Sequence, residues 1–469
     1  MRIFFLVFSL LGYSVCFCQQ IHTRLTDAFK IFGADDQCKH ALISLYIVNS
    51  KTGKVIFDKN SQIGLAPASC LKVFTSAAAF ELLGKDYRYK TDFGYDGTFK
   101  ENTLIGNLFI TASGDPTFGS WRWEQTKMDT VQQKIISVLK AKNITTITGD
   151  LIIDDSRWET QNTPGGWTWN DIGNYYGAGA RGLNWHENQY DLILKPGRRS
   201  GDAVEIAGSD PELQASVLIN ELKTGTAGSG DKSIIYLPED AVIGYIRGTV
   251  PAGKETFTIS GSMPNAVTAF TFAFQKLLKN NNISLTGKPK NSILYFMNNE
   301  KTPAASITWL SFYSPPLDSI NYWFLQKSIN LYGEAFVKTI AYEKKGFGAT
   351  DTGINIIKDF WSKKGIEKSA LNMIDGSGLS PANRVTTHAL VKVMQYARQQ
   401  NWFSSFYNAL PEQNGIKMKS GYIGGVRSYT GYVKSRSGAE YTFSFIVNNF
   451  DGNPGAVREK MWKLLDILK

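Results

Sequence analysis

The alternation of apolar and polar positions at the start of the chain predicts a hairpin followed by a helix. Residues 41–49 alternate as a strand, and residues 54–58 follow a short turn as its partner. After Pro67, apolar residues recur at helical spacing, and Gly84 stands where a helix commonly ends. A short helix is also predicted at residues 26–32.

The middle of the chain has a different pattern. Residues 87–297 are rich in short alternating strands separated by glycine-containing turns, for example at residues 103–111, 150–154 and 191–195. One helix is predicted near residues 130–140. This stretch predicts one or two β-rich inserted domains.

From residue 309 onward the pattern becomes helical and then returns to strands. Residues 318–344 predict one long helix or two short ones, and further helices are predicted at residues 353–364 and 386–399. Three strands and a last amphipathic helix follow, with the strands at residues 417–421, 427–435 and 441–449. The N-terminal hairpin and these strands are expected to complete one sheet with helices on its faces. The predicted architecture is therefore one α/β domain split by a large insertion.

The first residues are typical of a secretory signal. Arg2 is followed by an apolar run at residues 3–15 that is too short to span a bilayer, and a cut before Gln19 is predicted. Acylation of Cys16 or Cys18 is the weaker alternative, because a bulky residue precedes each cysteine. We expect an exported, periplasmic protein without a stable membrane span.

Charge and cysteine content exclude several classes of function. The net charge is +10, but no basic helix carries interleaved aromatic residues, so nucleic-acid binding is not expected. Cys38 and Cys70 remain after cleavage, and buried free thiols are favoured over a disulfide between them. The four histidines lie far apart, so we do not expect a metal centre.

A serine with a lysine three residues later is the first candidate for chemistry. Ser69 and Lys72 begin the predicted helix after Pro67, and one turn of helix places both side chains on the same face. A lysine acts as a base only when its surroundings lower its pKa. The same spacing recurs at Ser137 and Ser229, which we interpret as a solvated helix face and a glycine-rich loop.

Two further short motifs are expected to accompany Ser69 and Lys72 in the active site, and each motif occurs at more than one place in the sequence. Ser328-Ile329-Asn330 is chosen over Ser319-Ile320-Asn321 because Leu331-Tyr332-Gly333-Glu334-Ala335 follows it; Ser319 is interpreted as a helix cap. Lys419-Ser420-Gly421 lies on a predicted strand in the required order. The competing copies, Lys51-Thr52-Gly53 and Lys223-Thr224-Gly225, both precede Ser328.

With its three motifs in order, the chain resembles the class C low-molecular-mass penicillin-binding proteins, the D-alanyl-D-alanine carboxypeptidase/endopeptidases. The resemblance runs over nearly the whole mature chain and implies the α/β sandwich of penicillin-binding proteins and serine β-lactamases, split by a large β-rich insertion. The implied domains are a signal peptide at residues 1–18, a transpeptidase-like domain at 19–90 and 301–469, and the insertion at 91–300. Further matching segments are Ser113-Gly114-Asp115-Pro116-Thr117, Gly166-Trp167-Thr168-Trp169-Asn170-Asp171 and Asp375-Gly376-Ser377-Gly378.

The resemblance also implies roles for individual residues. Ser69 would be the acylated nucleophile, Lys72 its base, and Ser328 a proton relay to the leaving amine. Substrate contacts are implied for Asn330, Lys419, Ser420, Gly421 and Tyr422, with the N–H groups of Ser69 and Tyr422 as the oxyanion hole. The segment at Asp375 is interpreted first as a tight turn.

The implied substrate is the peptide stem of bacterial peptidoglycan, and β-lactam antibiotics are the implied covalent inhibitors. The implied reaction needs no metal or organic cofactor. Ile329, Ser420 and Tyr422 depart from the family pattern, which has aspartate, threonine, and serine or threonine at these positions. Two alternatives remain: a serine β-lactamase of the same superfamily, and a non-catalytic wall-binding protein with a decayed site. The oligomeric state is left open.

Overall fold

The computed structural model describes residues 20–213 and 216–469, so the predicted signal peptide at residues 1–18 lies outside the described residues. In these two ranges no helix is long and apolar enough to cross a membrane. The chain forms two units. The first contains the described residues up to Glu81 with Asn321–Ser328 and Ile354–Lys469, and the second contains Leu82–Ile320 and Ile329–Gly353. The predicted domain boundaries near residues 90 and 300 stay predictions.

The helices, in chain order, are α1 (residues 20–33), α2 (Lys72–Leu82), α3 (Met128–Ala141), α4 (Trp169–Ile172), α5 (Ala266–Asn280), α6 (Ser292–Met297), α7 (Leu317–Gln326), α8 (Asn330–Lys345), α9 (Thr350–Lys363), α10 (Thr387–Ala397), α11 (Phe403–Ala409) and α12 (Pro454–Leu465).

The strands are β1 (Leu42–Asn49), β2 (Val55–Lys59), β3 (Lys90–Tyr95), β4 (Thr98–Lys100), β5 (Thr103–Ile105), β6 (Leu108–Thr111), β7 (Thr146–Ile147), β8 (Leu151–Asp154), β9 (Gln189–Lys195), β10 (Glu205–Asp210), β11 (Val217–Gly225), β12 (Ile234–Tyr236), β13 (Ile243–Pro251), β14 (Phe257–Ser262), β15 (Ser284–Leu285), β16 (Pro289–Asn291), β17 (Ile307–Tyr313), β18 (Leu371–Asn372), β19 (Arg384–Val385), β20 (Glu412–Gln413), β21 (Ile416–Ile423), β22 (Val426–Lys434) and β23 (Glu440–Asn448).

The first unit is built on an antiparallel six-stranded sheet in the order β2-β1-β23-β22-β21-β20. Side chains alternate across β1: Leu45 and Ile47 share a core with α1 and α12, whereas Tyr46 and Val48 pack with Val391 of α10. Helices therefore cover both faces. The predicted pairing of the N-terminal hairpin with the C-terminal strands is confirmed.

The second unit is rich in strands, as predicted for the insertion. It contains a five-stranded sheet, a four-stranded sheet and two three-stranded sheets. Val131 of α3 and Phe270 of α5 lie in one core with strand residues such as Phe93 and Leu108. Buried residues of β9 and β13, such as Leu192 and Ile246, belong to a separate core.

The prediction of a single helix in the middle of the chain was wrong, because α5 is a second long helix there. Its valine, threonine and phenylalanine residues favour strands. Two features outweigh this preference. The Asn265 side chain accepts a hydrogen bond from Thr268 N and caps the helix, and Phe270, Phe274 and Leu278 fall at helical spacing in the core.

The predicted strand at residues 103–111 was also wrong in its extent. The segment forms β5 and β6, which belong to different sheets. Gly106 lies between them, and a Cβ there would stand 2.1 Å from Asp96 O, so only glycine fits this close passage of two backbones.

Residues 317–345 form two helices, which settles the alternative left open by the sequence. α7 ends at Gln326 and α8 begins at Asn330, with Ser328 between them at φ +59°. Ser319 lies inside α7, which begins at Leu317, so its interpretation as a helix cap was wrong.

Candidate active site

Ser69 and Lys72 lie side by side at the start of α2. A single 3₁₀ turn, Ala68–Leu71, precedes the helix, and Lys72 is its first residue. The Lys72 Nζ donates to Ser69 Oγ over 3.0 Å and to Ser377 O over 2.7 Å. The lysine is fully buried, and the ring of Phe324 lies 5.7 Å from its Nζ. A hydroxyl within hydrogen-bond reach of an oriented base is the arrangement that nucleophilic catalysis needs.

The backbone before Ser69 is held against the sheet. Ser428 Oγ of β22 donates to Pro67 O, and the amide of Asn448 on β23 bonds both Ala66 N (2.8 Å) and Ala66 O (3.0 Å). Ala68 has φ +45°, a conformation that non-glycine residues rarely adopt. These contacts hold Ser69 in place at the cost of local strain.

A tight loop from Asp375 to Ser380 supplies the second partner of Lys72. The Asp375 carboxylate accepts hydrogen bonds from Gly378 N (2.7 Å) and Ser380 N (2.6 Å), which closes the loop. Gly378 has φ +84°, and a Cβ there would stand 2.0 Å from Ala68 O. The loop is thus a structured turn, as interpreted, and its Ser377 carbonyl also orients Lys72.

Strand β21 passes directly beside the nucleophile. A Cβ added to Gly421 would stand 2.8 Å from Ser69 N, 2.6 Å from Pro67 O and 2.3 Å from Ser428 Oγ. Glycine therefore lets the strand approach the Ser69 backbone. Met418 faces α12 on one side of the sheet, so the alternation of the strand directs Lys419 and Gly421 to the side that carries Ser69.

Lys419 and Cys70 are buried next to each other. Cys70 Sγ donates to Lys419 O over 3.2 Å, and Lys419 Nζ donates to Ser420 O over 2.9 Å. Burial lowers the pKa of Lys419 to about 8 and raises the pKa of Cys70 to about 11. Cys38 and Cys70 are both buried and free, as predicted. The thiol is a core group, and the lysine is a buried cation near the nucleophile.

The outer edge of β21 is open beyond its first residues. β20 pairs only with Ile416 and Lys417, and Met418 N donates to Pro411 O, so among the residues described no strand pairs with that edge at residues 419–423. Gln413 Nε2 donates to Ser420 Oγ over 3.0 Å, and Tyr422 is half exposed with the Arg427 guanidinium 4.5 Å from its ring centroid. An open edge of this kind accepts an extended peptide.

Ser328 and Asn330 belong to different units. Ser328 is in the first unit, two residues beyond α7, and Phe324 of this helix contacts Lys72. Asn330 is the first residue of α8 in the second unit, and its Nδ2 donates to Tyr176 O over 2.7 Å. The structure therefore brings Ser69, Lys72 and the Lys419 strand together, while the roles of Ser328 and Asn330 stay predictions.

The competing copies of the motifs lie elsewhere. Ser137 is exposed on α3 and Ser229 lies in a loop, as interpreted from the sequence. Lys51-Thr52-Gly53 includes the turn between β1 and β2, and Lys223-Thr224-Gly225 ends β11 in the second unit.

Sequence reasoning missed three contributors. The Ser377 carbonyl and the Phe324 ring contact Lys72, and Ser428 holds the segment before the nucleophile. A carbonyl carries no side-chain signal. The dense glycine pattern around Ser377 was the available indication of a close backbone approach.

Comparison with known proteins points to one family. The model of the family described as "D-Ala-D-Ala carboxypeptidase 3 (S13) family" matches residues 27–467. The D-alanyl-D-alanine carboxypeptidase of Actinomadura sp. (strain R39) is 25% identical over 473 aligned positions, and the match covers 95% of this chain and 85% of that protein. D-alanyl-D-alanine carboxypeptidase DacB of Haemophilus influenzae is 21% identical over 426 residues, covering 86% of this chain and 84% of that protein.

A solved structure confirms the predicted fold. The crystal structure of penicillin binding protein 4 (dacB) from Haemophilus influenzae matches with a TM-score of 0.77 at 19% identity, covering 92% of this chain and 97% of the other. The same protein complexed with a β-lactam matches with a TM-score of 0.73 at 18% identity, covering 95% and 99%.

Proposed function

Because the chain belongs to the D-Ala-D-Ala carboxypeptidase 3 (S13) family, we propose that Ser69 is the nucleophile of a serine D,D-peptidase. The observation that carries the proposal is the 3.0 Å distance between Lys72 Nζ and Ser69 Oγ. Lys72 takes the hydroxyl proton as the Ser69 oxygen attacks a carbonyl carbon. The Ser377 carbonyl accepts a hydrogen bond from Lys72 Nζ over 2.7 Å and so orients the lysine towards Ser69.

The substrate is a peptidoglycan stem peptide that ends in D-alanyl-D-alanine. Attack on the carbonyl of the penultimate D-alanine forms a tetrahedral oxyanion, which the N–H groups of Ser69 and Tyr422 stabilise. Breaking the C–N bond releases D-alanine, whose nitrogen receives a proton through Ser328. Water then hydrolyses the acyl-enzyme and regenerates the Ser69 hydroxyl.

The buried cation of Lys419 supplies the recognition of the terminal carboxylate, together with the Ser420 hydroxyl. A buried ammonium attracts a carboxylate more strongly than an exposed one, because water screens it less. Asn330 binds the substrate amide, and the peptide lies along the open edge of β21. The close passage at Gly421 keeps this strand next to the Ser69 backbone.

The same groups fit two related reactions. A cross-link between D-alanine and a D-configured centre with a free carboxylate presents the same bond, so endopeptidase activity is included. A β-lactam also carries an amide and a carboxylate, and it acylates Ser69 to give a slowly hydrolysed adduct. These substrates lie in the cell wall, which agrees with export to the periplasm.

Intact-mass analysis after exposure to penicillin tests the assignment. The wild type should gain one adduct and Ser69→Ala none. Ser137→Ala is the matched control, because Ser137 starts the same Ser-x-x-Lys spacing on an exposed helix face. An adduct on Ser69→Ala, or none on the wild type, contradicts the proposal, and the latter favours a non-catalytic wall-binding protein. Release of D-alanine from a pentapeptide supports the peptidase, whereas rapid β-lactam turnover without it indicates a β-lactamase.

A further inference from the structure

A fully buried carboxylate in the second unit has no part in the chemistry described so far. Glu187 Oε1 accepts hydrogen bonds from Ser120 Oγ (2.7 Å), Arg122 Nε (2.9 Å) and Tyr332 OH (2.7 Å). Arg122 Nε also contacts Oε2 at 3.2 Å. A buried charge persists only when it is paired and hydrogen-bonded in this way. The carboxylate is therefore a fixed anchor for the groups around it.

The backbone that presents Glu187 is strained. His186, Glu187 and Asn188 have φ values of +55°, +52° and +50°, three consecutive non-glycine residues in the left-handed region. Such conformations are unfavourable and persist only where surrounding contacts impose them. Here Asn188 Nδ2 donates to Gly179 O (2.8 Å), and Asn188 Oδ1 accepts from Trp185 N (2.9 Å). The surrounding contacts thus hold an unfavourable backbone conformation that fixes the position of the Glu187 carboxylate.

The Glu187 carboxylate contacts the first turn of α8. Tyr332 is fully buried two residues after Asn330, and Trp123 Nε1 donates to its hydroxyl over 3.1 Å. Burial beside Glu187 raises the pKa of Tyr332 well above its usual value, so the hydroxyl keeps its proton and donates a hydrogen bond to the carboxylate. The helix turn is therefore fixed by a hydrogen bond between a neutral phenol and a buried anion.

Asn330 is tied to the same unit independently, through the bond from its Nδ2 to Tyr176 O. Residues two apart on a helix project about 200° apart, so Tyr332 and Asn330 point in nearly opposite directions. Holding the ring of Tyr332 therefore sets the rotation of the turn, and with it the direction of the Asn330 amide.

We propose that Glu187 is a positioning residue for the reaction, acting through Tyr332 to set the orientation of the Asn330 amide that binds substrate. The inference rests on the proposed role of Asn330. It means that a residue of the predicted insertion, Glu187, helps to orient a substrate-binding group. A small error in orientation is costly, because a displacement of roughly 1 Å in a positioning group lowers a rate by up to about 100-fold.

The test compares two substrates that differ only in the amide that Asn330 recognises. One is an N-acyl-D-alanyl thioester, and the other carries hydrogen in place of the whole acylamino group. Tyr332→Phe removes only the hydroxyl, and Glu187→Gln removes the charge. Each should lower kcat/KM by about tenfold for the first substrate and leave the second unchanged. In an Asn330→Ala background, neither change should reduce kcat/KM further.

The control is Glu159→Gln. Glu159 also contacts α8, where its Oε1 lies 3.3 Å from Lys338 Nζ. Lys338 is about two helical turns beyond Asn330. This variant should show no selective loss for the amide substrate. Equal losses for both substrates, or losses that add to that of Asn330→Ala, overturn the proposal and leave Glu187 a purely structural residue.

A readout without substrate separates this inference from the function on which it rests. The side-chain amide signal of Asn330 in the NMR spectrum should shift in Tyr332→Phe and not in Glu159→Gln. An unmoved signal in Tyr332→Phe overturns the positioning role. A wild type without activity towards either substrate, with the shift still present, overturns the proposed function instead.

Discussion

Replacing Gly421 by alanine should slow acylation of Ser69 with little unfolding. The new Cβ would stand 2.3 Å from Ser428 Oγ, 2.6 Å from Pro67 O and 2.8 Å from Ser69 N. Carbon makes its best contacts at about 3.5 Å or more, so the Ser69 backbone must move by roughly 0.7 Å. Ser428 cannot turn away freely, because its hydroxyl already bonds Pro67 O.

This displacement bears on the proposed oxyanion hole. Removing one donor of such a site lowers kcat by about 100- to 1,000-fold, and overpacking a core costs about 1–3 kcal/mol of stability. The rate of acylation by a fluorescent penicillin measures the first quantity and thermal melting the second. Gly424→Ala is the matched control in the turn after β21, since a Cβ there meets nothing within 4 Å. A Gly421→Ala variant that acylates as fast as the wild type would refute the close approach of β21 to Ser69.

Three other outcomes follow from the same unit. Burial lowers the pKa of Lys419 to about 8, and only the charged lysine attracts a carboxylate, so kcat/KM for a carboxylate-bearing substrate should fall as the pH rises through 8. A flat profile of kcat/KM from pH 6 to 10 would argue against Lys419 as the carboxylate-binding group. Gly378→Ala should slow acylation far more than Gly365→Ala, because both positions have a positive φ but only the first meets a neighbour, Ala68 O at 2.0 Å; equal acylation rates would contradict the role of this loop. Cys70 should resist iodoacetamide at pH 8 in the folded protein, because burial raises its pKa to about 11; mass spectrometry showing alkylation as fast as in denatured protein would contradict this.

The sheet and the nucleophile could be predicted because their signals are local and periodic. The strand pattern at residues 42–49 and the helical spacing after Pro67 each predict one element, and the structure buries both elements on more than one side. Local context then separated Ser69, at the start of a predicted helix after Pro67, from Ser137 on a solvated helix face. These inferences need only side-chain chemistry and spacing along the chain.

The contacts that tune the site could not be predicted in this way. The Ser377 carbonyl reaches Lys72 from 305 positions along the chain, and a backbone group gives no residue type to recognise. Glu187 looked like any charged residue of the insertion, because its burial depends on a left-handed backbone that no glycine marks. Helix α5 was hidden by strand-favouring residues whose packing in the core outweighs their propensity.

The pairing of β1 with β23 has a consequence for the timing of activity during biosynthesis. The segment before Ser69 is held by Ser428 and Asn448, which belong to strands synthesised near the end of the chain. Contacts between such distant residues form slowly, and they cannot form until both partners are present. For most of its synthesis the nascent polypeptide therefore contains Ser69 and Lys72 but lacks the strands that hold the segment before Ser69 in position. A hydrolase assembled in this order is inert until its last strand has been synthesised and has paired with the sheet.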